Sequence, residues 1–160
     1  MDLRLIPGAV ATPEERTAID RAIGSAGRRD LLLPALHALQ GRSGWITPGG
    51  LNHLCERLDV PPAEAFGVAS FYKMLSMERR PARVVHVCDD IACRTRADGV
   101  VADLERRGET VHRSPCLGQC DRAPAALVQS AGARPREWTV APGHGPLEPP
   151  VGPPLVPQPE

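Results

Sequence analysis

Four of the five cysteines in this chain fall into two pairs. Cys88 and Cys93 have four residues between them, and Cys116 and Cys120 have three. Each pair follows a short segment that predicts a β-strand, RVVHV before the first pair and ETVHR before the second. This pattern indicates a site with four thiolate ligands. The fold must therefore bring together two loops that are separated by twenty-two residues of sequence.

Three kinds of thiol site are compatible with four cysteines. Structural zinc sites usually have two residues within each pair, and dithiol exchangers need the motif C-x-x-C, and neither pair has this spacing. A [2Fe-2S] cluster is larger and accepts wider loops, which let backbone N–H groups approach the sulfurs. Gly118 stands where such a loop would turn with positive φ or come close to the cluster. The spacing favours a [2Fe-2S] cluster, and zinc stays as the alternative.

The fifth cysteine, Cys55, has a different setting. Thr47 and Pro48 predict the start of a helix. Within that helix Cys55 falls on an apolar stripe with Leu51, Leu54 and Leu58. We therefore expect Cys55 to be a core residue that binds no metal.

The first half of the sequence predicts helices. The segment TPEE is typical of a helix start, with a capping box between Thr12 and Glu15. Three further helices follow from apolar periodicity and from proline and glycine positions. The first predicted helix spans residues 13–26 and the second follows Asp30 and stops at Gly41. The third begins at Pro48, and the fourth spans residues 62–75. Residues 1–78 are thus expected to form an N-terminal helical bundle.

The second half of the sequence predicts short strands and one helix. RVVHV, ETVHR, AALVQ and EWTVA predict strands, and residues 94–107 predict a helix after the first of them. Residues 79–140 are therefore expected to form a small α/β domain, which makes the whole chain α+β. Residues 141–160 are rich in proline and predict an extended or disordered tail.

Charge and hydropathy exclude two classes of function. The net charge is zero and acids and bases are mixed, which argues against a nucleic-acid-binding face. No apolar run is long enough to span a bilayer, and the N-terminus lacks the features of a signal peptide. We expect a cytoplasmic protein with no direct membrane insertion.

Four segments in order carry a resemblance: LLLPALHALQGRSGWIT, LDVPPAEAFGVASFYKML, VVHVCDDIAC and SPCLGQCDRAPA. Over residues 30–130 the chain resembles the thioredoxin-like [2Fe-2S] subunit of bacterial respiratory complex I. It is similar also to the related subunits of NAD-dependent formate dehydrogenases and NAD-reducing hydrogenases. The resemblance implies a helical segment followed by a thioredoxin-like ferredoxin domain, with the cluster held by Cys88, Cys93, Cys116 and Cys120.

The resemblance also implies a function and partners. The chain would carry one electron beside a flavoprotein subunit that binds FMN and NAD(H), among further iron-sulfur subunits of an oxidoreductase complex. Its own sequence has neither the G-x-G-x-x-G fingerprint nor a P-loop, so we expect it to bind no NADH itself and to act as a non-catalytic electron-transfer subunit. A zinc-stabilised interaction or assembly module without redox activity is the alternative function.

Several side chains near these motifs have open roles. In SFYKML, Phe71 and Tyr72 are either a docking surface for the flavoprotein or ordinary core residues. The histidines on the predicted strands, His86 and His112, are expected to be surface or supporting residues that do not bind the metal. The charged residues beside the cysteines are expected to be solvated; they are Asp89, Asp90, Arg94, Arg96, Arg113, Asp121 and Arg122.

Overall fold

The computed structural model describes residues 7–25, 27–142 and 147. Almost all of the tail predicted for 141–160 therefore lies outside the described residues, as does residue 26 at the predicted end of the first helix. Of the helices in the described ranges, none has the length and apolar character needed to cross a bilayer.

The described chain divides into two compact units. The first contains the residues up to Ala82 and, from later in the sequence, Ala131–Pro135. The second contains Arg83–Ser130 and the residues from Arg136 onward. The first unit is helical and the second is a four-stranded sheet with one helix, so the predicted α+β class is confirmed.

The helices of the first unit enclose an apolar core. They are α1 (Pro13–Ile23), α2 (Leu32–Ser43), α3 (Pro48–Leu58) and α4 (Pro62–Phe71). A 3-10 turn, Arg29–Leu31, precedes α2. The stripe predicted on α3 is buried in this core, whose largest fully buried members are Ile19, Leu36, Leu39, Ile46, Leu51, Leu54 and Leu58. Burial of such side chains contributes about 1.5–3 kcal/mol each, which makes this core the main source of the unit's stability.

The start of α1 follows the predicted capping box. The Thr12 hydroxyl accepts a hydrogen bond from the backbone N–H of Glu15 at 3.2 Å, and the Thr12 N–H donates to Glu15 Oε2 at 2.8 Å. Glu15 Oε1 also accepts hydrogen bonds from the hydroxyls of Ser43 at 2.8 Å and Thr47 at 2.7 Å. This buried carboxylate thus joins the start of α1 to the end of α2 and the start of α3.

Three predicted helix ends are wrong. Helix α1 ends at Ile23, three residues before its predicted end at residue 26. Helix α2 continues through Gly41 and ends at Ser43, where Gly44 caps it with φ +84°. A Cβ at Gly41 would lie 3.2 Å from Cβ of Pro135. Glycine is therefore needed here for close packing against Pro135, and it does not end the helix. Helix α4 ends at Phe71 because Tyr72 is already extended, four residues before the predicted end.

The second unit contains a sheet with the strand order β2-β1-β3-β4. Its strands are β1 (Arg83–Cys88), β2 (Val111–Ser114), β3 (Ala126–Ser130) and β4 (Arg136–Val140), as predicted to within a few residues. Strand β1 runs parallel to β2 and antiparallel to β3, and β3 runs antiparallel to β4. Helix α5 (Arg94–Arg106) connects β1 to β2, as a parallel pair requires.

This topology determines where the cysteines lie. Parallel β1 and β2 both end at the same edge of the sheet, and antiparallel β3 begins there. Cys88 is the last residue of β1 and pairs with Ser114, the last residue of β2 and two residues before Cys116. The loops that carry both cysteine pairs therefore leave the sheet side by side.

Candidate metal centre

Two loops build the site, the first cysteine loop (residues 88–93) and the second cysteine loop (residues 116–120). Backbone hydrogen bonds extend the sheet into the site: Cys88 N donates to Ala125 O and Asp89 N donates to Ser114 O, both at 2.9 Å. The strand that ends in the first loop is thus tied to both strands that flank the second. The entry to each loop is fixed by the sheet itself.

The first cysteine loop folds back through a tight turn. The backbone carbonyl of Asp90 accepts hydrogen bonds from Cys93 N and Arg94 N, both at 2.8 Å, and Cys93 is the residue just before α5. Cys88 and Cys93 are 3% and 2% exposed and pack with Ala125 in a small apolar cluster. This half of the site is shielded from water.

The second cysteine loop is more open. Gly118 has φ +70°, as its position predicted, and its N–H donates a hydrogen bond to Cys116 Sγ at 3.4 Å. Cys120 begins a 3-10 turn that ends at Arg122. The Sγ atoms of Cys116 and Cys120 are 3.7 Å apart, and both residues are exposed to solvent. The two halves of the site thus differ sharply in burial.

The thiols also influence one another electrostatically. Burial raises the pKa of the Cys93 thiol, and the Cys88 and Cys116 thiols add to that increase. The neighbouring Cys116 thiol raises the pKa of Cys120, with smaller effects from burial, Cys93 and Cys88. Each of these shifts includes a cysteine of the other pair, so the structure brings all four predicted site cysteines into one neighbourhood.

The separation of the two exposed sulfurs fits two thiolates bound to one metal. Two sulfurs bound to one metal with bonds of about 2.3 Å and a tetrahedral angle are about 3.8 Å apart, and Cys116 and Cys120 have nearly this separation. In a [2Fe-2S] cluster each iron takes two such thiolates. Across residues 7–25, 27–142 and 147, no group of three or more Cys, His, Asp or Glu side chains is arranged to hold one metal ion.

The charged residues around the site do not all behave as solvated surface. Arg113 donates to Asp89 at 2.9 Å and also contacts Asp98. Arg96 donates to the backbone carbonyl of Ala123 in the chain that follows the second loop. Asp90 accepts a hydrogen bond from the backbone N–H of Cys116 at 3.2 Å. No spacing in the sequence indicates this last contact, since the two residues are 26 positions apart.

The predictions for His86 and for the fifth cysteine, Cys55, have different outcomes. His86 is buried, and its Nε2 lies 2.8 Å from Oε1 of Gln129. Of the two roles expected for it, surface residue or supporting residue, burial excludes the first. The strand that carries it is covered on both faces, which alternation alone did not reveal. Cys55 is buried in the helical core as predicted, and burial raises its pKa to about 11.

Phe71 and Tyr72 are not core residues. Phe71 is 77% exposed and Tyr72 is 43% exposed, and their rings meet edge to face with centroids 5.4 Å apart. Phe66, on the same helix, is also partly exposed. The core interpretation is therefore wrong, and the docking interpretation stays a prediction.

Comparison with known proteins identifies a matching family and several relatives. The sequence model of the family described as thioredoxin-like [2Fe-2S] ferredoxin matches residues 18–134. The NADH-quinone oxidoreductase E subunit of Pseudomonas aeruginosa is 26% identical over 133 residues, which cover 74% of this chain and 80% of that protein. The protein of the same name from Mycobacterium tuberculosis H37Rv is 31% identical over 122 residues, or 63% of this chain and 45% of that protein. The Escherichia coli K12 protein of that name is 27% identical over 109 residues, which cover 60% of this chain and 66% of that protein.

Proposed function

Since the chain belongs to the thioredoxin-like [2Fe-2S] ferredoxin family, we propose that it is an electron-transfer subunit of an NADH:quinone oxidoreductase. Its ligands are Cys88, Cys93, Cys116 and Cys120. The observation that most directly supports metal binding by the second pair is the 3.7 Å separation of the Cys116 and Cys120 sulfurs. The strand register brings the loop of the first pair beside it. A [2Fe-2S] cluster, when bound, supplies a group that gains and loses one electron.

The residues of the site have distinct tasks in this proposal. Cys88 and Cys93 bind from the buried side, where Ala125 and its neighbours exclude water. Cys116 and Cys120 bind from the exposed side, which leaves an open path for electron exchange with another subunit. The Gly118 N–H stabilises negative charge on the Cys116 sulfur.

The partner subunits follow from the same proposal. The chain has no dinucleotide fingerprint, so a flavoprotein subunit that binds FMN and NAD(H) performs the hydride chemistry. This chain exchanges single electrons with that subunit and is not itself catalytic, and further iron-sulfur subunits belong to the same cytoplasmic complex, peripheral to the membrane. The names of the relatives favour the quinone-linked complex over the formate- and hydrogen-linked ones.

The exposed aromatic pair supplies a candidate docking surface for the flavoprotein. Phe71 and Tyr72 lie at the end of α4 and expose apolar surface that a monomer gains nothing by exposing. Aromatic residues are enriched in protein–protein interfaces. A chain whose relatives are named as subunits of a larger enzyme needs at least one such surface.

Spectroscopy of the purified chain tests the proposed cofactor. We expect the anaerobically purified protein to be red-brown, to bleach with dithionite and to give a rhombic S = 1/2 EPR signal. Iron and acid-labile sulfide assays should each give about two atoms per chain.

One result would contradict the proposal. A colourless protein that contains stoichiometric zinc, and that takes up no iron and sulfide on anaerobic reconstitution, would favour the zinc-stabilised interaction module. Pull-down with the flavoprotein subunit is a separate test of the partner, since it does not depend on the metal content.

A further inference from the structure

Asp90 contacts both cysteine loops. Its Oδ1 accepts a hydrogen bond from the N–H of Ile91 at 2.8 Å, within the first loop. Its Oδ2 accepts one from the N–H of Cys116 at 3.2 Å, in the second loop. Of the side-chain hydrogen bonds between described residues, this is the one that joins a residue within the first cysteine loop to a residue within the second.

The backbone of Asp90 holds the first cysteine pair together. Its carbonyl accepts the N–H groups of Cys93 and Arg94, which closes the turn from Cys88 back to Cys93. One residue therefore shapes the first loop with its carbonyl and holds the second loop with its carboxylate. A change in its position would move Cys93 and Cys116 relative to each other.

The neighbouring Asp89 makes a useful comparison. It carries the same charge at almost the same distance along the chain from Cys88, but its carboxylate accepts from the Arg113 guanidinium. That ion pair lies between the first cysteine loop and β2, whereas the Asp90 carboxylate reaches the second cysteine loop itself. The two aspartates thus separate the effect of charge from the effect of the bond to Cys116.

We propose that Asp90 is the positioning residue that sets the separation of the two cysteine pairs, through the hydrogen bond from Cys116 N to its carboxylate. This inference rests on the proposed function, because the separation matters only if both pairs bind one cluster. Asp90 touches neither iron nor substrate in this role. It acts through Cys116, whose backbone it fixes while Gly118 holds the sulfur.

The substitution Asp90→Asn replaces one of the two acceptor oxygens with a donor group. An asparagine side chain has one acceptor oxygen in place of two, so the Ile91 and Cys116 N–H groups cannot both keep their partner. Asp90→Ala removes both acceptors. Asp89→Asn is the matched control, because it removes the same charge and leaves the contact with Cys116 intact.

The first measurement uses the metal-free chain. An amide proton that donates to a carboxylate resonates downfield, so we expect the assigned Cys116 N–H signal to move upfield in D90N and D90A and to stay in place in D89N. Thermal unfolding of the same samples shows whether each variant remains folded. If D90A does not fold, D90N alone decides.

The second measurement uses the cluster-loaded chain. We expect iron release to a chelator to be about tenfold faster or more in D90N than in wild type, as for loss of a hydrogen bond to a charged acceptor. D89N should release iron within about twofold of wild type. The EPR g values should shift in D90N and not in D89N, which a general loss of stability would not produce.

The outcomes separate the two proposals. Iron release from both D90N and D90A equal to that from D89N, or a Cys116 amide signal that neither Asp90 variant moves, would overturn the role of Asp90. A wild-type chain that binds no [2Fe-2S] cluster would overturn the proposed function instead, and the amide measurement on the metal-free chain would still report on the bond between the loops.

Discussion

The backbone N–H of Gly118 points at the sulfur of Cys116, 3.4 Å away, and Gly118 can do this because it has φ +70°. An alanine there would be strained by about 1 kcal/mol in this conformation. We expect Gly118→Ala to weaken the hydrogen bond and to lower the reduction potential by about 40 mV, which corresponds to about 1 kcal/mol for one electron. A redox titration followed by EPR measures this shift.

Gly99→Ala is the control for that substitution. A Cβ at either glycine meets nothing within 4 Å, but Gly99 lies inside α5 and does not have positive φ. The control should keep the wild-type potential and raise the free energy of unfolding by about 0.5–1 kcal/mol. A Gly118→Ala variant with an unchanged potential would argue against a role for this N–H group.

Replacement of each cysteine by alanine tests the ligand set. Loss of any one of Cys88, Cys93, Cys116 and Cys120 should abolish the wild-type visible spectrum and reduce the bound iron, because each iron needs two thiolates. Cys55→Ala should keep both the spectrum and about two irons per chain. An unaltered cluster in any of the first four variants would remove that residue from the ligand set.

Cys55 should also react more slowly than the two exposed thiols of the metal-free chain, Cys116 and Cys120. Its pKa of about 11, raised from 9.0 by burial, leaves about one thiol in a thousand ionised at pH 8. Alkylation with iodoacetamide at pH 8, mapped by peptide mass spectrometry, should modify the exposed Cys116 and Cys120 first and Cys55 only after unfolding. Rapid alkylation of Cys55 in the folded chain would contradict its burial.

The same pKa shift gives a pH dependence. Because the folded state holds Cys55 protonated and the unfolded state ionises near pH 9, the contribution to stability is complete below pH 9. It is lost as pH rises toward 11. Urea unfolding of the wild type and of Cys55→Ala at pH 8 and pH 10 should show a larger loss in the wild type.

Glu15 should be a major contributor to the stability of the helical unit. Glu15→Ala removes the acceptor of Thr12 N–H and of the Ser43 and Thr47 hydroxyls, so we expect a loss of about 3 kcal/mol in the free energy of unfolding. The neighbouring Glu14 is exposed, and Glu14→Ala should cost about 0.5 kcal/mol or less. Chemical denaturation compares the two, and equal losses would mean that the buried network contributes little.

Phe71→Ala and Tyr72→Ala test the docking surface. Each should weaken binding to the flavoprotein subunit at least tenfold. Each should also leave the unfolding temperature near that of the wild type, because Phe71 is largely exposed and Tyr72 is partly exposed. Val10→Ala, at another exposed apolar residue of the same unit, is the matched control and should bind normally. Normal binding by both aromatic variants would exclude this surface.

Local signals made much of the fold predictable from the sequence. The Thr12–Glu15 box and the Thr47 cap depend on residues three positions apart, and both form as predicted. The strands before the cysteines were predictable because a short apolar run bounded by polar residues has few alternatives. Gly118 has the positive φ that was one of the two reasons expected for a glycine between Cys116 and Cys120.

Contacts distant in sequence account for what could not be predicted. Gly41 is a residue type that often ends helices, but here Pro135 packs against it and the helix continues to Ser43. Asp90 resembles any acidic loop residue until the fold brings Cys116 to its carboxylate. His86 alternates with valines, and only the sheet with both faces covered shows that it is buried.

The discontinuous first unit has a consequence for anyone who wishes to cut the chain. Ala131 N donates to Ala82 O at 2.8 Å and Gly132 N donates to Gly41 O at 2.9 Å, so the turn between β3 and β4 belongs with the helices. A fragment that stops at Ala82 would lack these donors, and one that starts at Arg83 would carry a hairpin tip without its acceptors. Cutting the chain between Ala82 and Arg83 therefore removes hydrogen bonds from both fragments. A circularly permuted chain, which keeps residues 131–135 and α2 in one molecule, would retain these bonds.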